Sequence, residues 1–276
     1  MNMKNIVIVG HGYVGKAVEY GFNIKLKNKI HLIDPLYHNS VDDITACDVA
    51  FVCVPTPFGE DGKIDSSIVE DVTEKLLKQT RGWVVIKSTV IPSVVAKLSE
   101  NQRVIYNPEF LTEKNALDDF VNPPMHIFGG SYNATAMLEE LYKHHSRCKP
   151  CPVFRMSAQD ASFVKYGINS FLATKVMWFN QYKELIDQHG SDYDTIINAI
   201  GTDSRIGHSH VQVPGPDGRR GYGGACFPKD TSALSNFDYD RHLTILRTVI
   251  TANNHIRSEY ELDEREKEQN VVYMKR

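Results

Sequence analysis

The chain has 276 residues, 42% hydrophobic and 24% charged, with 31 Lys and Arg against 34 Asp and Glu and a formal net charge of −3. This is ordinary globular composition, long enough for two packed units, and it excludes a disordered chain, a collagen and a small disulfide scaffold. The near balance of charge gives no general reason to expect nucleic acid as a partner, and no run approaches the ~18 consecutive apolar residues of a membrane span.

The N-terminal MNMKNIVIVGHGYVG enters an apolar run and then glycines, without the cleavage site of a signal peptide, so a cytoplasmic location is expected. Residues 5–9 (NIVIV) read as a strand and KAVEYGF as the following helix. Further strands are expected for IHLID ending at Asp34, then at 48–54, 83–88, 103–106 and 126–130. Helical patterns lie near 66–79, 92–99 and 135–146. Strands alternating with helices of this size predict an α/β fold with a doubly wound, Rossmann-type parallel sheet over residues 1–150.

From residue 157 the pattern turns helical. Phe163, Tyr166, Ile168, Phe171, Leu172, Val176 and Phe179 recur at mostly three- and four-residue spacings with no proline between them, which predicts one long helix. Helices near 193–200, from Pro228 and near 241–257 complete an all-helical domain over 157–257. The charged remainder, 258–276, reads as a solvated tail.

GHGYVG is G-x-G-x-x-G between a strand and a helix, and Asp34 closes the next strand. Gly10 allows the tight turn, Gly12 lets a pyrophosphate approach the backbone, and Gly15 lets helix and strand pack closely. The helix N-terminus then faces the phosphates. Asp34 would accept hydrogen bonds from the ribose hydroxyls and repel a 2′-phosphate, favouring NAD over NADP. The alternative is a glycine turn that binds nothing. His11 reads as an exposed side chain beside this loop.

Three segments pair reactive groups at i, i+4, which is one face wherever the backbone is helical: Glu109/Glu113, Lys165/Asn169 and Cys226/Asp230. Each has a plainer reading, as helix first-turn acids, a surface lysine and an inert small core residue respectively. Cys226 follows two glycines and precedes Pro228, a residue favoured at a helix start, where the local potential and Lys229 would pull a thiol towards thiolate. Gly223 and Gly224 would leave amides open for a ligand. Of the other cysteines (Cys47, Cys53, Cys148, Cys151), the Cys148/Cys151 pair has no second pair at zinc spacing, so free thiols and no metal are expected. His144/His145 and His208/His210 read as polar surface, and Arg219-Arg220 as charges that could meet a phosphate or stay solvated in the loop.

The ordered motifs GHGYVG, VCVPTPFGEDG, KSTV, NPEFLTE, KYGIN and GYGGACFPKD resemble the UDP-glucose/GDP-mannose 6-dehydrogenase family, most of all its UDP-glucose members. The resemblance runs from the first strand to Asn253-Asn254. It implies a four-electron oxidation of a nucleotide sugar C6 alcohol to a carboxylate with two NAD+, in a cytoplasmic homodimer serving polysaccharide synthesis. GDP-mannose and UDP-N-acetylhexosamines are alternative substrates, and a non-catalytic NAD-binding accessory subunit is an alternative role. The resemblance makes Cys226 the nucleophile, Lys165 with Asn169 the oxyanion-stabilising pair, Asp230 and Thr89 the holders of water, and Glu109 the general acid/base. Gly10, Gly12, Tyr13, Val14, Gly15, Asp34, Val54, Pro55, Thr56, Thr89 and Glu113 would line the cofactor. Glu109, Phe110, Leu111, Glu113, Lys165, Asn169, Gly221, Tyr222 and Gly223 would line the substrate, with Arg205 reaching it across a dimer interface. Family members normally continue into a second Rossmann-like domain. This chain has only about 20 residues after Asn253-Asn254, against ~100 for a domain, which leaves three readings open: a partner chain supplies that domain, the substrate is a smaller sugar phosphate, or activity is lost while the fold persists.

Overall fold

The computed structural model describes residues 3–24, 27–59 and 62–273. Glu60 and Asp61 of the VCVPTPFGEDG motif and the side chain of Glu113 lie outside the described part. The chain divides into two compact units, Met1–Thr56 with Asp65–Lys165, and Pro57–Ile64 with Tyr166–Arg276.

In the first unit the order is β1 (Lys4–Val9), α1 (Tyr13–Phe22), β2 (Asn28–Ile33), β3 (Val49–Val52), α2 (Ser67–Gln79), β4 (Trp83–Ile86), α3 (Pro92–Leu98), β5 (Val104–Tyr106), α4 (Ala116–Val121), β6 (His126–Gly129), α5 (Tyr132–His145) and β7 (Val153–Met156). The strands form one seven-stranded sheet in the order β2-β1-β3-β4-β5-β6-β7. All neighbours are parallel except β5 and β6, which meet antiparallel at Tyr106 and Gly129. The strand β7 and the short helix α4 go beyond the elements legible in the sequence.

The continuous apolar strands follow from burial on both faces. Val7, Val9, Ala50, Val52, Val84, Ile86, Val104 and Tyr106 pack into one core. Their alternates Ile6, Ile8, Val49, Phe51, Val85 and Ile105 pack into another, on the opposite face. The chain crosses from β2 over β1 to β3, which puts the topological switch point at the carboxyl ends of β1 and β3, where an open α/β sheet takes its ligand.

The long helix is α6 (Ala158–Gln188), 31 residues or about 46 Å at 1.5 Å per residue; its first eight residues belong to the first unit. The second unit continues with α7 (Tyr193–Thr202), α8 (Phe227–Phe237), α9 (Thr244–Arg257) and α10 (Glu264–Glu268). Phe179 and Ile186 of α6 pack with Tyr193 and Ile197 of α7 and with Val211 and Val213. Ala173 and Met177 pack with Tyr222, against Phe227, Val249, Ala252 and Ile256. Segment 57–64 joins this unit because the Gly62 carbonyl accepts from Ser232 Oγ (2.8 Å) and Asn236 Nδ2 (3.1 Å).

The expected solvated tail is instead packed. Glu266 is fully buried and Val271 nearly so, and the Phe58 amide donates to the Gln269 carbonyl at 2.9 Å. Asp263 and Glu266 form a capping box that starts α10. That D-x-x-E spacing was the available sequence signal, and the high charge density obscured it.

Candidate active site

The glycine loop sits at the switch point. A Cβ on Gly10, whose φ is +87°, would lie 2.6 Å from the Cys53 carbonyl oxygen, and one on Gly15 would collide with the Gly10 carbonyl. Both glycines are therefore dictated by the chain's own packing. Gly12 is different, since a Cβ there would meet nothing within 4 Å. The bare backbone at Gly12 thus leaves room for a ligand, and α1 begins there with no side-chain cap and no acid in its first turn. That is an N-terminus left for an anion, as a dinucleotide pyrophosphate requires. Asp34 Oδ2 accepts the His11 amide at 2.7 Å and Oδ1 the Leu36 amide at 3.0 Å. These bonds fix the carboxylate and leave each oxygen a further lone pair for a ribose hydroxyl. Val54, Thr56 and Thr89 are buried at the strand ends, and Pro55 is exposed. The Ser88 hydroxyl ties this region together by donating to the Val54 carbonyl at 2.6 Å. Tyr13 and Val14 are half-buried in the first turn of α1.

His11 is not an exposed side chain. It is buried, with Nδ1 2.6 Å from the Tyr37 hydroxyl and Nε2 2.9 Å from Glu19 Oε2. Likewise His145 is buried, with Nδ1 2.9 Å from Asn28 Oδ1, because two elements distant in sequence close over it.

Residues 107–112 have no regular secondary structure, and Glu113–Asn115 is a 3-10 turn. Glu109 and Glu113 therefore share no helical face. The Pro108 that suggested a helix start instead follows an anchored Asn107, whose Nδ2 donates to the Ile127 carbonyl (3.0 Å) and whose Oδ1 accepts from Tyr142 (2.7 Å) and Lys87 (3.1 Å). Glu109 and Lys165 come together in the first unit. Lys165 Nζ donates to the Glu109 carbonyl at 2.6 Å and to its Oε1 at 3.1 Å, both side chains being buried. Glu109 Oε2 accepts the Leu111 amide at 2.7 Å, and the Phe110 ring lies 5.3 Å from Lys165 Nζ. Lys165 is thus a buried cation paired with an acid, not a surface charge.

Lys87 of KSTV is a residue sequence reasoning missed. It is 4% exposed, and burial lowers its ammonium to about 8 although Cys53 and Glu109 work the other way. With Asn107, Glu109, His126 and Tyr142 it lines a cavity of about 30 Å³, room for a water molecule among polar partners.

In the second unit Asn169 and Asp230 meet, Nδ2 donating to Oδ2 at 2.6 Å, while Asp230 Oδ1 accepts from Lys229 at 2.6 Å. The Asp230 amide donates to the Cys226 carbonyl at 2.9 Å, the bond that opens α8. Cys226 is the N-cap of α8 and Pro228 stands in its first turn; none of the five cysteines is in a disulfide. The preceding loop is held at three amides: Gly221 donates to Asn180 Oδ1 (2.9 Å), Tyr222 to Asn253 Oδ1 (2.7 Å) and Gly224 to Glu266 Oε1 (3.2 Å). The Gly224 amide is therefore not open for a ligand. Arg205 is highly exposed and pairs locally with Asp203. Arg219 and Arg220 do not stand ready for a phosphate: Arg219 donates to the Glu261 carbonyl at 2.7 Å and Arg220 pairs with Glu184.

Residues 36–146 match a model described as UDP-glucose/GDP-mannose dehydrogenase family, NAD binding domain, and residues 159–255 the central domain of the same family. The chain is 30% identical to UDP-glucose 6-dehydrogenase TuaD of Bacillus subtilis, over 84% of this chain and 58% of that one. It is 36% identical to UDP-glucose 6-dehydrogenase of Pseudomonas aeruginosa, over 70% of this chain and 45% of that one. A UDP-glucose dehydrogenase structure from Pyrobaculum islandicum superposes with a TM-score of 0.78 at 27% identity, covering 92% of this chain and 68% of that one. The chain thus spans about half of the length of the two curated relatives.

Proposed function

Because the chain belongs to the UDP-glucose/GDP-mannose dehydrogenase family, we propose that it is an NAD-dependent dehydrogenase that oxidises the C6 alcohol of a nucleotide sugar, UDP-glucose, to the carboxylate. The observation that carries this reading is the retention of the polar set suited to the chemistry, with Lys165 buried on Glu109 and Asn169 on Asp230. A scaffold has no physical need for such costly buried groups. NAD, the cofactor of the family's N-terminal domain, would be held at Gly10, Gly12 and Gly15 and by Asp34, and would supply the hydride acceptor.

Glu109 takes the proton of the alcohol as the hydride leaves C6, giving the aldehyde. The Cys226 sulfur adds to the carbonyl carbon to give a thiohemiacetal, and Lys165 with Asn169 stabilises the oxyanion. Loss of the second hydride yields a thioester. Water, oriented by Asp230 and Thr89, then cleaves the carbon–sulfur bond and returns the thiol. Two NAD+ and one water are consumed, and two NADH, the carboxylate and three protons are released. Val54, Pro55, Thr56 and Glu113 complete the cofactor's surroundings, and Phe110, Leu111 and Gly221–Gly223 those of the sugar nucleotide. A cytoplasmic enzyme supplying a uronic acid for polysaccharide belongs to the same reading. No described helix is long and apolar enough to cross a membrane.

A homodimer through α6 belongs to the same reading. Phe171 (67% exposed), Trp178 (63%) and Leu185 (50%) recur every seven residues along it, the repeat that keeps one seam facing a partner helix. Arg205 would reach the partner's substrate from this assembly.

The test follows NADH absorbance with NAD+ and UDP-glucose, GDP-mannose, UDP-N-acetylhexosamines or glucose phosphates, with Cys226→Ser beside the wild type. Two NADH per UDP-glucose, with sustained turnover lost in Cys226→Ser, is expected. Absence of NADH with every substrate despite NAD+ binding would favour an accessory subunit or a required partner chain.

A further inference from the structure

The C-terminal segment lies beyond the matched central domain, which ends at residue 255, yet it reaches the loop that delivers Cys226. Both carboxylate oxygens of Glu266 are engaged. Its Oε1 accepts from Arg257 Nη2 (2.7 Å), the Tyr273 hydroxyl (2.7 Å) and the Gly224 amide (3.2 Å), and its Oε2 accepts the Asp263 amide (2.9 Å). Arg257 is also fully buried and donates Nη1 to Asp217 at 2.6 Å. Its guanidinium lies 5.7 Å from the rings of both Tyr260 and Tyr273.

The glycines of the loop fit this pair. A Cβ on Gly223 would collide with the Arg257 guanidinium and lie 2.5 Å from Glu266 Oε1, and one on Gly221, at φ +73°, would lie 3.2 Å from Arg257 Cγ and Cδ. The loop is thus moulded onto the Arg257–Glu266 pair, and Gly224, at φ +76°, turns the chain towards Cys226 two residues on. Burial alone would raise the Glu266 carboxyl, but the Tyr273 hydroxyl, the Asp263 amide and the Arg257 guanidinium outweigh it and hold the group below its ordinary value. The carboxylate is therefore present as an acceptor at neutral pH.

We propose that the segment 263–273 is a brace for the Cys226 loop, with Glu266 a positioning residue whose carboxylate fixes the Gly224 amide and so seats the thiol at the N-terminus of α8. The inference rests on the proposed function only in taking Cys226 as the nucleophile. Its geometry does not depend on substrate or cofactor.

The test compares Glu266→Asp with Glu266→Gln in the full chain. Aspartate keeps the charge for Arg257 but withdraws the oxygens by one methylene, whereas glutamine keeps an oxygen within reach of Gly224 and loses the charge. The readout is the rate of iodoacetamide alkylation at Cys226, followed by mass spectrometry of its peptide, with Cys151 as the internal reference and thermal unfolding to verify the fold. Should Glu266→Gln not fold alone, Arg257→Met/Glu266→Gln carries the same comparison without a buried guanidinium that has lost one of its two carboxylates. Loss of a hydrogen bond to an ionised acceptor predicts alkylation about tenfold slower in Glu266→Asp, with the glutamine variant slowed less. A charge-pairing role in stability alone predicts the opposite ranking. That ranking, equal effects, or wild-type rates in both variants would overturn the proposal. If the wild type produces no NADH with any substrate, the functional reading fails and the alkylation ranking still decides the brace.

Discussion

Replacing Lys87 by methionine should make the first unit more stable at neutral pH, and the gain should vanish in alkali. The Lys87 ammonium is buried, with a hydrogen bond to Asn107 Oδ1 at 3.1 Å and the Phe120 ring 5.8 Å away. Burial lowers it from 10.5 to about 8, and at 1.36 kcal/mol per pH unit that difference corresponds to ~3 kcal/mol against the charged folded form. Methionine removes the charge, fills similar volume and forfeits the bond to Asn107, worth about 1 kcal/mol. Asn107 Oδ1 retains the Tyr142 hydroxyl at 2.7 Å. The net expectation is ~2 kcal/mol of added stability at neutral pH. The folded-state value lies below the unfolded one, so between about 8 and 10.5 the unfolded chain binds more protons. Wild-type stability therefore rises through that window relative to the variant, and the advantage of methionine shrinks across it. Urea unfolding followed by Trp83 fluorescence in a Trp178→Phe background, from about pH 7 to about pH 10, measures the difference. A difference independent of pH, or a methionine variant less stable at neutral pH, would mean that burial of the Lys87 charge does not oppose folding.

Gly10→Ala should destabilise the fold by more than ~1 kcal/mol, since it forces a side chain to positive φ against the Cys53 carbonyl. Gly12→Ala should leave thermal unfolding within a few degrees while weakening NAD+ binding in calorimetry at least about tenfold, as its Cβ meets only the space kept for the ligand. Asp34→Ser should narrow the preference for NAD+ over NADP+ by about tenfold or more in kcat/KM, since it removes the charge that repels a 2′-phosphate. Trp178→Glu should shift the chain from dimer to monomer in light scattering at micromolar concentration; an unchanged mass would exclude the α6 seam as the interface.

Much of the fold was legible because its signals are local. The unbroken apolar runs of β1, β3, β4 and β5 report strands buried on both faces. Gly10 and Gly15 report a turn that side chains would obstruct, Gly12 reports backbone left bare for a ligand, and the absence of proline across α6 reports a long helix. These features leave their mark in residues a few positions apart, so composition and period suffice to read them. The Cys226 turn into α8 was legible for the same reason, through Pro228.

Which charged groups are buried, and what each one meets, follows from packing between segments far apart in the chain. Lys87 and Tyr142 converge on Asn107 from positions 20 and 35 residues away, and Glu266 reaches Gly224 across 42. A carboxylate in a run of Asp, Glu, Lys and Arg looks solvated until its partners are known. Likewise His11 looked exposed until Glu19 and Tyr37 closed on it, and Arg219 and Arg220 looked ready for phosphate until Glu261 and Glu184 engaged them. Burying a charge is unfavourable unless a matching group arrives from elsewhere, and that arrival is determined by how the elements pack, which no local pattern records.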